Sequence, residues 1–240
     1  PDRAPSGPFG AYTDYISPRF LVSCIMAAVE HHRGTGQGQY IDFSQGEASM
    51  QQLTPLLLDW TVNGRLWDRM GNRDAVHAPH AVFPSTGDDE WVAIAVTDDD
   101  QWRALCELIN APELAGLDID ARRANQDELE QRIGEWTSQR SCTDTMATCQ
   151  AAGIPSHRVQ NTDHCLDDPQ LAHRNHFIEV GHPTQGTTTI ENSRFIMSRT
   201  PAVVTYGGPT WGEHNWEILT EELGYDPDRI AELAIAEVLG

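Results

Sequence analysis

Ser17-Pro18-Arg19-Phe20-Leu21-Val22-Ser23-Cys24-Ile25-Met26-Ala27-Ala28-Val29-Glu30-His31-His32-Arg33-Gly34, running on into Thr35-Gly36-Gln37-Gly38-Gln39-Tyr40-Ile41-Asp42-Phe43, is the stretch on which the reading of this chain turns. Ser17 stands where an N-cap would, and Pro18 suits the first helical position, whose N–H has no partner within the helix. Phe20, Leu21, Cys24, Ile25, Ala28 and Val29 recur at the spacing of one apolar helix face. Arg33 suits the last turn and Gly34 the stop. The glycines that follow predict a turn into a short strand over 39–43. A second helix is expected from Ser44, with Ser44 and Glu47 as a capping box, a kink at Pro55 and an end at Asn63-Gly64. A phosphate cradle does not fit this order. A dinucleotide loop runs strand, glycines, helix, so that N–H groups face the phosphate, whereas here the glycines follow a carbonyl-rich helix end.

Beyond Gly64 the texture changes. Residues 65–80 carry no periodicity and read as a long connecting loop. A strand is expected over 90–96 after the turn Gly87-Asp88-Asp89. Helices are expected over 99–110, 126–139 and 143–152, the second with Asn125 and Glu128 as a capping pair and the third with Ser141 and Asp144. A strand over 155–160, a short helix over 164–173, a strand over 177–182 and an edge strand over 187–191 follow. Residues 194–206 read as extended, and helices over 213–223 and 228–239 close the chain. Strands alternating with helices from Trp91 to His182 indicate an α/β or α+β module. The flanks 1–64 and 191–240 are too small to stand alone.

Charge and composition remove whole classes of function. The chain has 240 residues, with 36 acidic side chains against 16 basic ones and a net charge of −20. That field repels polyanions, so neither nucleic acid nor an anionic membrane is an expected partner. Every basic residue is an arginine, which removes Schiff-base and P-loop lysine chemistry. No apolar run approaches the roughly 18 residues of a membrane span. Five cysteines, none in a CxxC pair, read as free thiols of a reducing, cytoplasmic setting. Neither HExxH nor a zinc spacing occurs among the ten histidines, so no metal is expected. The chain opens on Pro and not Met, and it reads as part of something longer.

Two groups of residues are candidates for chemistry. Asp14 lies just before the expected helix start, among Tyr12, Tyr15, Gly7 and Gly10. A carboxylate there meets the positive end of the helix macrodipole, which suits a nucleophile and equally suits a plain helix-entry aspartate. Arg73, His77 and His80 fall in the aperiodic loop, where substrate contacts concentrate.

These segments together resemble the class III (CaiB/BaiF-type) CoA-transferases. Asp14 followed by a helix ending in Glu30-His31-His32-Arg33-Gly34-Thr35-Gly36-Gln37-Gly38-Gln39-Tyr40-Ile41-Asp42 is similar to the family's aspartate and its R-x-T-G-x-G-Q-x-V-D-like segment. Ala78-Pro79-His80-Ala81-Val82-Phe83-Pro84 with Gly87–Ala95 resembles the entry to its small domain. Ala152-Gly153-Ile154-Pro155 and Asp167-Asp168-Pro169-Gln170-Leu171 resemble its G-[IV]-P and D-P-x-L elements. Thr200-Pro201, Gly212-Glu213-His214 and Ile218-Leu219 resemble its terminal signature, with Trp211 in place of the usual leucine.

The resemblance implies an α/β chain with the CoA-transferase family III fold. Its divisions would be residues 1–64, the C-terminal part of a large Rossmann-like domain; 65–190, a small α/β domain; and 191–240, a segment returning to the large domain. It implies an acyl-CoA:carboxylate CoA-transferase acting through a covalent aspartyl intermediate on Asp14. Arg73, His77 and His80 would recognise the acceptor carboxylate, in a loop that lacks the glycine run of many family members. Coenzyme A thioester enters as substrate, with no permanently bound cofactor, and the assembly is an interlocked homodimer. Most CoA contacts are expected upstream of Pro1, so this stretch alone is expected to bind CoA weakly. An α-methylacyl-CoA racemase and a non-catalytic subunit are the competing readings.

Overall fold

In the computed structural model, residues 11–239 are described; Gly7 and Gly10, named above beside Asp14, lie outside them. Helix α1 spans Tyr12–Thr35, α2 Gln45–Met50 and α3 Thr54–Asn63, with a 3-10 turn over Gln51–Leu53 between the last two. Strand β1 (His80–Pro84) and β2 (Trp91–Ala95) precede α4 (Asp99–Leu108), α5 (Ile119–Ala124), α6 (Gln126–Thr137) and α7 (Cys142–Ala151). Strand β3 (Ser156–Arg158), α8 (Thr162–Leu166), α9 (Pro169–His173) and the hairpin β4 (Phe177–His182) and β5 (Gly186–Glu191) come next. A short α10 (Asn215–Glu217), which widens into a π turn over Ile218–Glu222, and α11 (Pro227–Ile235) complete the chain.

The first helix begins earlier than its sequence signals suggest. Ala11 is the N-cap and offers no side-chain cap, while Pro18 sits inside the helix. Pro18 has no N–H to give the carbonyl one turn back, so the local cost is a lost rung. Ser17 is the reason the local reading fails. It is 3% exposed, and its Oγ donates to the Gln45 carbonyl at 2.9 Å and lies 3.1 Å from Ser49 Oγ. Its hydroxyl is thus engaged between helices and caps nothing. The helix ends at Gly36, in the left-handed region at φ +74°, and not at Gly34. No strand forms over 39–43. Ser44 does cap α2, accepting the Glu47 N–H at 3.3 Å, but the one kinked helix expected from there is two. Helix α2 stops at Met50, and α3 restarts after the 3-10 turn with Pro55 in its first turn, where its missing N–H costs no rung, and ends at Gly64 with φ +67°.

Two compact units emerge, one of residues up to Val82 with Ala95–Glu130, the other of Phe83–Ile94 with Gln131 onward. In the first, Val96, Trp102, Leu105, Cys106 and Leu129 are almost fully buried. Cap and face together set helix α4: Asp98 accepts the Gln101 N–H at 2.8 Å, and Trp102, Leu105 and Cys106 point inward. Trp102 satisfies its indole by donating to the Leu114 carbonyl at 2.9 Å. The apolar side chains of α3 are a contrast, since Leu56, Leu57, Leu58 and Trp60 are each more than 40% exposed.

In the second unit the buried set includes Phe83, Val92, Ile94, Ile133, Cys149 and Ile154. Strand order is β1-β2-β3, with β2 antiparallel to β3 through Val92↔Arg158, Ala93↔His157 and Ile94↔Ser156. Val92 and Ile94 point inward and Trp91 outward, the period-2 alternation of a half-buried strand. The turn before β2 requires its glycine: Gly87 has φ +118°, and a Cβ there would sit 2.9 Å from Glu90 Cγ. The β4–β5 hairpin pairs Phe177↔Glu191 through His182↔Gly186.

Asp168 fixes the segment between β3 and β4. Its Oδ1 accepts the N–H groups of Gln170 and Leu171 at 2.8 and 2.9 Å, and its Oδ2 accepts from Gln160 Nε2 at 2.7 Å. The Leu171 amide, then Gln160, holds this carboxyl below the usual aspartate range. A carboxyl whose pKa is depressed on folding adds stability above its unfolded value, and that stability is lost as pH falls through the folded value. Asp168→Asn is therefore expected to flatten the acid limb of a urea-midpoint titration between about pH 5 and about pH 3. An unchanged slope would show that the carboxylate contributes nothing to folding.

Candidate active site

Asp14 lies in the first turn of α1, exposed, at the positive end of a 24-residue helix. Its Oδ1 accepts a hydrogen bond from Gln45 Nε2, and the same nitrogen donates to Thr13 Oγ1 at 2.8 Å. Gln45 is the first residue of α2, and its own carbonyl receives the buried Ser17 hydroxyl at 2.9 Å. Two short polar links, one to the Gln45 backbone and one to its side chain, therefore stitch the N-terminal part of α1 to the start of α2. Beside them Tyr12, Tyr15, Ile16, Arg19, Phe20 and Gln52 help to line an open groove of about 560 Å³. Among the described residues Gln45 is the hydrogen-bond partner of the Asp14 carboxylate, on Oδ1, and Oδ2 has none.

Arg73 lines a separate cavity, which shares no lining residue with the groove beside Asp14. Its Nε and Nη2 each donate to Glu130 at 2.7 Å, and Nη2 also donates to Asp127. The hydrogen bonds to Glu130, then Asp127, raise its pKa above the ordinary arginine value. Nη1 is the guanidinium nitrogen with no such partner among the described residues. An open cleft of about 740 Å³ lies here, with Arg65, Trp67, Met70, Arg73, Asp120 and Arg123 among its walls.

His77 and His80 are both half-buried in the same segment. Asp74 Oδ1 accepts the backbone N–H groups of Val76 and His77 at 2.7 and 2.8 Å, an Asx-type turn that sets the loop and holds the Asp74 carboxyl below its usual range. His80 Nδ1 lies 2.6 Å from the Asn72 carbonyl, which can only accept, so Nδ1 carries hydrogen and Nε2 is the other ring nitrogen. The partners of Asp14 and Arg73 thus belong to different elements, α2 for the first and α6 for the second.

Sequence reasoning missed two polar arrangements. One is Gln45, whose link to Asp14 spans 31 residues and leaves no local signature. The other is a cluster around Glu90, which accepts from Cys142 Sγ at 2.9 Å and from Arg158 Nη2 at 3.0 Å, with His164 Nε2 a further 3.0 Å from Arg158. The Cys142 bond, then Arg158, depresses the Glu90 pKa, while burial raises that of Cys142. Burial also pushes Cys106 and Cys149 up to about 11, so these thiols stay protonated and unreactive near neutrality. All five cysteines are unpaired. Among the described residues no helix is long and apolar enough to cross a membrane, and no group of three or more His, Cys, Asp or Glu is placed to share a metal ion.

Comparison with known proteins gives these observations a context. The succinyl-CoA–D-citramalate CoA-transferase of Chloroflexus aurantiacus is 28% identical over the whole of this chain and 60% of its own length. The succinyl-CoA:mesaconate CoA-transferase of Haloarcula marismortui is 32% identical over 84% of this chain and 51% of its own. The chain thus spans little more than half the length of these relatives. A crystal structure of a CaiB/BaiF family protein from Brucella suis superposes with a TM-score of 0.82 at 26% identity, covering 92% of this chain and 58% of the other. The mixed α/β architecture is that of family III. Residues 1–215 match the profile of CoA-transferase family III, and the chain belongs to that family.

Proposed function

We propose that this chain is the aspartate-bearing part of an acyl-CoA:carboxylate CoA-transferase, with Asp14 as the covalent nucleophile. The observation that carries the reading is the Asp14 carboxylate itself, exposed in the first turn of α1, with Oδ1 bound by Gln45 and no partner on Oδ2 among the described residues. Family membership and the names of the relatives support the reaction class. Those names also favour succinyl-CoA as donor and a short dicarboxylate as acceptor. Arg73, His77 and His80 belong to the reading as contacts for the acceptor, through Arg73 Nη1 and His80 Nε2 in particular. So do a cytoplasmic setting, the domain limits 1–64, 65–190 and 191–240, and an interlocked homodimer. The exposed apolar side chains of α3 support the last of these.

The chemistry divides into four acyl transfers. Asp14 Oδ2 attacks the thioester carbonyl carbon, the C–S bond breaks, and a mixed anhydride and CoA thiolate result. The thiolate attacks Asp14 Cγ, forming a C–S bond and expelling the donor acid with the bridging oxygen. An acceptor carboxylate oxygen attacks Cγ of this aspartyl thioester and releases the thiolate. Finally the thiolate attacks the acceptor's acyl carbon, giving new acyl-CoA and an Asp14 carboxylate that keeps one oxygen from the acceptor. Splitting one exchange into four is what covalent catalysis supplies.

That last oxygen is the test. With succinyl-CoA and an acceptor bearing ¹⁸O in its carboxylates, the active enzyme is expected to carry one heavy oxygen in the peptide containing Asp14 after turnover, read by mass spectrometry. A racemase would instead exchange the hydrogen α to the thioester and leave Asp14 unlabelled. Turnover without label at Asp14 refutes the reading.

A further inference from the structure

We propose that Gln45 is a catalytic hydrogen-bond donor, binding the oxyanion that develops on Asp14 Oδ1 whenever Cγ is attacked. The inference rests on the covalent reading of Asp14 and goes one step beyond it. An exchange through an aspartyl anhydride and thioester needs two kinds of carbonyl activation, one at the acyl carbon of the substrate and one at Asp14 Cγ. Gln45 is positioned for the second.

The geometry fixes its role as donor. Asp14 can only accept, so the group touching Oδ1 must be the amide nitrogen of Gln45, and Nε2 has two hydrogens. One goes to Asp14 Oδ1 and the other to Thr13 Oγ1 at 2.8 Å, which leaves the amide no freedom to rotate without losing both. The backbone is held as firmly. The Gln45 carbonyl accepts from Ser17 Oγ at 2.9 Å, Ser17 lies 3.1 Å from Ser49 Oγ, and these serines are 3% and 9% exposed. A donor anchored at both ends reorganises little as charge develops, which is the condition for oxyanion stabilisation.

Gln45 then acts in two of the four steps. With Oδ1 bound, Oδ2 is the oxygen that attacks the thioester and becomes the bridge of the anhydride. When the thiolate adds to Cγ, the π electrons of the Cγ=Oδ1 bond move onto Oδ1, facing Nε2–H; collapse returns them and breaks the bond to Oδ2. When the acceptor carboxylate adds to the aspartyl thioester, the same charge forms at the same atom, and collapse breaks the C–S bond. The first and last steps occur at the substrate's acyl carbon, out of Gln45's reach.

This division makes the role of Gln45 testable separately from that of Asp14. Gln45→Met keeps length and helix propensity and removes the donor. It is expected to lower kcat by about 10²–10³, while the fraction of enzyme carrying an Asp14 adduct in the steady state, trapped by hydroxylamine as the hydroxamate, rises above that of the wild type. A lost structural prop would lower both together. Gln45→Glu supplies the control for folding and charge. It sets a second carboxylate on the first, and its residual activity is expected to climb as pH falls and the two share a proton, a rise absent from the wild type. A Met variant within about threefold of the wild type, or one whose adduct fraction falls with kcat, overturns the role of Gln45 while an adduct in the wild type keeps Asp14 in place. No hydroxamate in either enzyme overturns both.

Discussion

Asp14→Asn is expected to cut turnover of the active enzyme by at least roughly 10³-fold while leaving it folded. Asparagine is nearly isosteric, and its carbonyl oxygen still accepts from Gln45 Nε2, so the contact that ties α1 to α2 survives. What it lacks is an anionic oxygen, and the covalent exchange proposed above begins with attack by that atom. The loss should appear in kcat with saturating donor and acceptor, and the thermal midpoint should move little because Asp14 is exposed. Retention of a tenth or more of the activity would assign the chemistry to another residue and turn this chain into an accessory one.

The carboxylate is visible in the sequence; what holds it is not. Its place before the expected helix start suits a plain helix-entry aspartate equally well, and the resemblance to the family's aspartate segment is what singles out Asp14. Its partner Gln45 lies 31 residues away, directly after a capping serine, where a glutamine has no special meaning. The same limit explains the misplaced start of α1. Ser17-Pro18 carries the local chemistry of a cap and a first turn, but a buried inter-helix bond to the Gln45 carbonyl claims the serine hydroxyl. Helices α4 and α7 are legible because their capping side chains, Asp98 and Ser141, stand where the sequence places them, whereas the Asn125 side-chain amide expected to cap α6 donates back to the Ala121 carbonyl. Strand β1 is hidden at the end of an aperiodic stretch, and α5 has little to announce it because its cap, Asp118 accepting the Ala121 N–H at 2.8 Å, precedes only six residues. Helix α3 shows the opposite case: its apolar character is plain in sequence, yet Leu56, Leu57, Leu58 and Trp60 remain exposed. Periodicity tells which face seeks cover and is silent on what covers it.

Arg122, on that short α5, is where the largest loss of stability is expected. A guanidinium 2% exposed is costly to bury unless each donor finds an acceptor. Here Nε donates to the Ala78 carbonyl at 3.0 Å, and Nη1 donates to the Leu117 carbonyl at 3.0 Å and to Asp99 Oδ1 at 2.8 Å. The plane also lies 5.6 Å from the Trp102 ring, the largest fully buried side chain. One side chain thus ties α5 and α4 to Ala78, in the loop bearing Arg73 and His77. Arg122→Ala removes the stem packing and takes this donor from the buried Ala78 carbonyl and the half-buried Leu117 carbonyl, and a loss of about 3–5 kcal/mol is expected. Asp99 is not the source of that cost, since its side chain is 65% exposed and is resolvated when the partner goes. Arg122→Met separates the contributions: it keeps most of the volume, drops the charge that had to be desolvated, and should cost about half as much. Urea unfolding of the two variants reads the difference directly. Equal losses would mean that the hydrogen bonds carry everything and the packing nothing; a Met variant as stable as the wild type would mean that the buried charge merely offsets its own desolvation.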